Sequence, residues 1–203
     1  MVLCINFCSI AQDSPKINRT LRLGFNYGYG TQQNFPFNST DYTYDVQFYK
    51  LQINYGLKGK RKWKLELNIE PSIYTAEHQL LNIYYVQPKF GNDYLDKRVL
   101  FAKHKQFNEY VLNTGLLLRH NTFKQLDTYV LGSIGPMISN TETERLVKGF
   151  AFSDIIALGI SYEVKSIFLD LRFSIRHVSN ATIKLPNSGH NSANMEIGFS
   201  FQL

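Results

Sequence analysis

The sequence predicts an all-β fold: an eight-stranded antiparallel up-and-down transmembrane β-barrel of the outer-membrane type. Three observations carry that expectation. Apolar and polar residues alternate through eight segments with the period of a strand. The connections between those segments alternate short and long, as they do between the two rims of such a barrel. Many segments are about ten residues or longer, the length a tilted strand needs to cross a bilayer.

The first strand is expected over Asn18 to Tyr29, where Leu21, Leu23, Phe25, Tyr27 and Tyr29 alternate with Arg22, Gly24, Asn26 and Gly28. The second runs from Tyr44 to Leu57, and Lys58 to Lys62 forms a tight basic turn. The third has the cleanest alternation, Trp63, Leu65, Leu67, Ile69 and Ile73 against Lys64, Glu66, Asn68, Glu70 and Ser72. Pro71 falls on its oily face, where the strand is expected to weaken because proline donates no ladder hydrogen bond. Glu77 to Gln106 has no clean period and reads as a long loop with a short hairpin or helix of its own. Strand four is Asn108 to Arg119 and strand five Leu126 to Ser139. Strand five is apolar on both parities and interrupted by Gly132, Gly135 and Pro136. Strand six covers Gly149 to Val164, strand seven Ile167 to Val178, and strand eight Ala193 to Leu203. The turns after strands two, four and six are tight, so both chain ends fall on the short-turn, periplasmic rim.

The minority parity carries Lys50, Glu66, Glu70, Glu163, Asp170, Arg172, Arg176 and Glu196. Eight strands enclose a lumen just wide enough for side chains, where opposite charges can pair. A soluble lipocalin-like barrel would place the same two faces the other way round. Strand length and loop asymmetry favour the membrane.

The chain has 203 residues, 44% hydrophobic and 14% aromatic, a composition that suits one folded domain and does not point to disorder. Beyond the N-terminus no run of about eighteen apolar residues predicts a transmembrane helix. Met1 to Ala11 reads as a signal peptide, apolar and ending in Ser9-Ile10-Ala11, without a basic residue before it. The expected division is a signal peptide over 1–11 and a single barrel domain over 12–203. Cys4 and Cys8 fall in the first of these, so the cysteines suggest neither a disulfide nor a metal site. The formal net charge is +6. Its basic clusters, Lys58 to Lys62 and Lys97, Arg98, Lys103 and Lys105, read either as solvated loops or as attraction to an anionic surface such as phosphorylated lipid. No stacking motif or basic helix accompanies them, which argues against nucleic acid.

His177 and Ser179 share the parity of Ile167, Leu169, Leu171, Phe173 and Ile175, so both face lipid at the long-loop end of strand seven. A His beside a Ser can serve as general base to an acyl-transfer nucleophile. Asn180, Asn187 and Asn191 lie close by in sequence, and any of them could orient the imidazole or donate to an oxyanion. Taken alone, a His-x-Ser pair is far more often a polar fringe where a strand leaves the membrane, because short motifs recur by chance.

The run RHVSNATIKLPNSGHN, with GSIGPMIS and GFAFSDIIALGISYEV before it, resembles the lipid A 3-O-deacylase (PagL-like) family, whose pattern is His-x-Ser-Asn-Ala followed by Pro-Asn-x-Gly. The resemblance covers Gly132 to the C-terminus in detail and the remainder in architecture. It implies an outer-membrane hydrolase of a Gram-negative bacterium that removes the 3-O-linked acyl chain of lipid A at a lipid-facing site. By motif position His177 is then the general base and Ser179 the nucleophile. Asn180 contributes to the oxyanion hole and Asn187 supports the site. The family's acidic triad member falls on Asn191, which can orient a histidine but brings no charge. Glu196 has lumen parity and His190 is expected to be a loop residue without a role. The implied partners are lipopolysaccharide and the membrane, with no cofactor and no metal, and a homodimer left open. A non-catalytic barrel that binds lipopolysaccharide is the alternative.

Overall fold

The computed structural model describes residues 20–203; the expected signal peptide, with Cys4 and Cys8, lies outside the described residues. Eight antiparallel strands close into one ring, β1 to β8, each paired with its neighbour in sequence. They are β1 (Leu21–Thr31), β2 (Tyr42–Lys60), β3 (Trp63–Leu80), β4 (Lys105–Phe123), β5 (Leu126–Ser139), β6 (Gly149–Val164), β7 (Ile167–Ser179) and β8 (His190–Gln202). The ring closes between β1 and β8, with Phe25 opposite Phe199. Two-residue turns at one rim include Arg61 and Lys165, both at positive φ, and the connections at the other rim are long. The expected architecture is the observed one.

The strands exceed their expected bounds mainly at the long-loop rim. Residues Glu77 to Leu80 belong to β3, and β2 begins at Tyr42. Lumen-facing Tyr42, Tyr44, Ala76 and Phe107 pack there in an apolar cluster with Leu146 and Val178, so burial sustains the sheet where the alternation fades. The connection after β3 holds two short 3₁₀ turns and one helix, α1 (Tyr94–Phe101), packed on its own small core of Leu80, Val86 and Phe101.

Pro71 does not end β3. It stays paired with Leu112 of β4, while toward β2 the ladder skips from Ser72–Lys50 to Ile69–Ile53. The missing N–H therefore interrupts one ladder locally and leaves the strand intact. Pro136 has the same effect in β5, where pairing with β4 jumps from Val111–Met137 to Thr114–Ile134. The double apolar parity of β5 is also explained: Val130, Ile134 and Ile138 face outward, whereas Tyr129 and Leu131 fill the lumen with Leu117, Ile155 and Ala157.

Elsewhere the lumen is charged. Lys50 Nζ lies 2.9 Å from Glu196 Oε1, and Arg172 Nη1 lies 2.7 Å from Glu70 Oε1 and 3.5 Å from Glu196 Oε2. Arg119 forks onto Glu66 with Nε–Oε1 at 2.9 Å and Nη2–Oε2 at 3.2 Å. Higher up, Arg176 Nη1 reaches Glu109 Oε2 at 2.8 Å and donates to the Tyr44 hydroxyl at 3.1 Å. Glycine makes room for a large lumen side chain on the neighbouring strand: Gly28 is paired with Phe48, and a Cβ on it would meet the Phe48 ring at 2.3 Å. Outward positions carry Tyr49, Leu51, Ile73, Leu112, Ile156, Leu158, Leu169 and Phe173, all exposed apolar residues.

Removing one partner from such a network strands the other charge in a dry interior. Arg172→Ala is expected to destabilise the barrel by about 3–5 kcal/mol. Urea unfolding in lipid vesicles, followed by fluorescence of the single tryptophan Trp63, measures this; a loss below about 1 kcal/mol would show that Lys50 neutralises both glutamates unaided.

Candidate active site

The polar residues that face outward at the top of β7 interrupt an otherwise oily stripe. Phe173 and Ile175 are exposed on that wall, His177 and Ser179 above them are half-buried, and the intervening Ser174, Arg176 and Val178 point into the lumen. Strand periodicity separates the His177 and Ser179 Cα atoms by about 6.5 Å. Among the described residues no hydrogen bond joins the two side chains; serine–histidine bonds of this kind often tighten only around a substrate.

Asn191 was expected in a loop, but β8 begins at His190 and places Asn191 directly opposite His177 in the ladder. Its side chain shares the outward face, and Asn191 Oδ1 lies 2.7 Å from His177 Nδ1. A carboxamide oxygen can only accept, so the ring carries its proton on Nδ1 and leaves Nε2 as the basic nitrogen. The structure thus brings His177, Ser179 and Asn191 together across two adjacent strands.

Asn180 and Asn187 shape the loop that stands over Ser179. The Asn180 backbone N–H donates to Asn187 Oδ1 at 2.6 Å, and Asn180 Nδ2 donates to Lys184 O at 2.8 Å. Asn187 Nδ2 donates to Thr182 Oγ1 at 3.4 Å. The backbone N–H of Asn180 and one N–H of its carboxamide are therefore engaged inside the loop. The loop is tied down from outside by an isolated bridge between Leu146 and Asn187. Gly189 N also donates to Arg145 O at 3.0 Å and Tyr85 Oη to Ser188 Oγ at 2.6 Å. Gly189 is required where it stands: φ is +68° and a Cβ would lie 2.2 Å from Val178 O.

His190 corrects the sequence reading. It is buried in the lumen rather than loose in a loop, stacked on Tyr44 with centroids 4.5 Å apart and with Nε2 3.0 Å from Thr143 Oγ1. Glu196 faces the lumen and is bound to Lys50, as its parity implied.

Asp154 is the residue that sequence reasoning missed. It lies opposite His177 on the other side, across the β6–β7 ladder, and it too faces outward and is half-buried. The signal was present, because Asp154 shares the parity of Ile156, Leu158 and Ile160. Asp154 and His177 line one outer groove of about 510 Å³ with Ile134, Ile156 and Ile175, opened by the bare Gly132. Among the described residues no group of three or more His, Cys, Asp and Glu side chains is arranged to hold a metal.

The family model described as lipid A 3-O-deacylase (PagL) matches residues 87–200, more than half of the chain. The chain belongs to that family, and it is an outer-membrane barrel protein of Gram-negative type. Among solved structures, the outer membrane enzyme PagL superposes with a TM-score of 0.60 at 12% identity, over 86% of this chain and 97% of that one. Neisserial surface protein A gives a TM-score of 0.45 at 9% identity, covering 91% of this chain and 97% of its own. Ail from Yersinia pestis gives 0.43 at 7%, also over 91% and 97%. At these identities the likeness concerns the fold. No curated protein matches by sequence.

Asn187→Ala removes the acceptor for the Asn180 amide. The exposed loop should open while the strands hold, so hydrogen exchange at the Asn180 N–H is expected to accelerate by about tenfold or more, one hydrogen bond's worth. Unchanged protection would mean the tie to Arg145 holds the loop without Asn187.

Proposed function

We propose that this barrel hydrolyses the 3-O-linked acyl ester of lipid A, with Ser179 as nucleophile and His177 as general base. The observation that carries the reading is the outward trio itself. Polar side chains on a lipid-facing wall are costly unless they serve a purpose there, and these stand at the level of the outer leaflet. With Asn191 on Nδ1, the imidazole keeps Nε2 as its basic nitrogen, the arrangement of a base oriented for proton transfer.

The steps follow from those groups. Nε2 takes the Ser179 hydroxyl proton as Oγ bonds to the ester carbonyl carbon, whose π electrons move to oxygen. Collapse expels the sugar alkoxide, which leaves with the proton from Nε2, and the acyl chain stays on Oγ. Water, deprotonated by the same nitrogen, then attacks the acyl-serine carbonyl; the acyl–Oγ bond breaks, Oγ takes the proton back from Nε2, and the fatty acid leaves. Asn180 follows the nucleophile directly and carries the oxyanion donors in this reading, exchanging its contacts with Asn187 and Lys184 for the tetrahedral oxygen. Asn187 supports it by shaping the loop. The apolar groove beside His177 offers the acyl chain a wall continuous with the bilayer.

Lipid A in vesicles with the reconstituted protein should lose one 3-hydroxy fatty acid, read by mass spectrometry. Ser179→Ala and His177→Ala should each lower the rate by at least about 10³-fold with heat-modifiable gel mobility unchanged. Intact lipid A beside a folded wild-type barrel would overturn the hydrolase reading and leave a barrel that binds lipopolysaccharide without cleaving it, the role that Asn191 in place of an acid favours.

A further inference from the structure

We propose that Asp154 is the acidic member of this site, a positioning residue that supplies through space the negative charge which Asn191 lacks. The inference rests on the acyl-transfer reading above and goes beyond it, because the acid stands on β6, on the opposite flank of the histidine from β8.

Three observations meet at this residue. In the ladders His177 has two direct neighbours, Asn191 on β8 and Asp154 on β6. Directly opposed residues share a face, with Cβ atoms about 5 Å apart. Second, Asp154 Oδ1 is shut off from solvent and has no hydrogen-bond partner. The lumen carboxylates Glu66, Glu70, Glu109 and Glu196 each meet an arginine or lysine. A carboxylate on the oily side without such a partner is an expensive placement that demands a use. Third, Asp154 and His177 line the same groove, so the charge acts through a medium that screens it weakly.

The chemistry assigns the use. When the Ser179 proton reaches Nε2, a neutral imidazole becomes a cation at membrane depth. Asn191 fixes the tautomer but contributes no charge. A fixed anion beside the ring is neutral toward the ground state and attractive toward the imidazolium, so it favours the transition state selectively. Asp154 takes no proton and forms no bond. Orientation and charge, which one acid combines in a Ser-His-Asp triad, are divided here between two strands.

The full-length protein in detergent or vesicles tests this with two readouts: labelling of Ser179 by a fluorophosphonate probe, and kcat and KM on lipid A. Asp154→Asn, an isosteric change that also relieves a charge from the lipid-facing wall, should lower both the labelling rate and kcat by about 10- to 100-fold and leave KM unchanged. Adding Asn191→Asp to that variant returns a carboxylate to the other flank and should restore at least about tenfold of the loss. A merely structural role would not show this rescue. Heat-modifiable mobility confirms folding, and Asp154→Ser replaces the asparagine variant if that one fails to fold. Asp154→Asn within twofold of wild type in both readouts overturns the proposal, as does a loss that Asn191→Asp does not repair. If Ser179 labels but lipid A stays intact, the substrate assignment alone fails and the labelling rates still decide the role of Asp154. If the folded wild type neither labels nor releases fatty acid, acyl transfer fails and the proposal falls with it.

Discussion

In the hydrocarbon core of a bilayer there is no water to satisfy a backbone N–H or C=O, so a sheet that crosses it must close on itself. The pairing of β1 with β8 meets that constraint, and the remaining organisation follows from it. A ring of eight strands encloses too little space for a channel, so its interior is filled by side chains. The outside must be apolar, so the polar half of each alternating strand turns inward and must find partners there. Lys50, Glu70, Arg172 and Glu196 do so as one connected cluster, and Arg119 with Glu66 forms a second pair nearer the short-turn rim.

The same lumen network determines where the site is. On β7, Arg172 and Arg176 point inward to carboxylates, while Phe173, Ile175, His177 and Ser179 point out. A slip of one residue would exchange these sets, driving two arginines into lipid and the histidine into the lumen. The ion pairs thereby hold the register that turns His177 and Ser179 outward at the long-loop rim. Their contribution to net stability is secondary to this, since buried pairs repay their desolvation only in part.

The fold was legible because period-two alternation survives in any strand with one face in lipid, and because turn and loop lengths alternate between rims. The eight segments, and the inward parity of Lys50, Arg172, Arg176 and Glu196, follow from that pattern alone. Legibility ended at the long-loop rim, where Tyr42, Tyr44 and Phe107 fill the lumen with apolar groups. The two faces then no longer differ in polarity, so strand ends such as Glu77–Leu80 carry no period. His177, Ser179 and Asn191 could be named from the motif, but their adjacency depends on the β7–β8 register, which no local pattern encodes. Asp154 was hidden for the same reason. An acid on an oily parity is visible in sequence, whereas its pairing with a residue twenty-three positions later is a property of the β6–β7 ladder.

His190 and Asn191 show how closely the interior and the site are joined. They are consecutive residues at the start of β8, so they point to opposite faces. The inward one is held by stacking on Tyr44, by Thr143 and by close packing against His78 at 5.1 Å. That anchorage leaves Asn191 little freedom to turn away from His177. His78 in turn meets Glu144 at 2.8 Å, within the same segment whose Arg145 accepts from Gly189 N through its carbonyl and donates from Nε to Gly189 O at 2.6 Å. The loop above Ser179 and the residue beside His177 are therefore held through one buried polar cluster. The outward polar groups sit where lipid gives them no support of their own, and the inward half of the strand supplies the rigidity that their geometry needs.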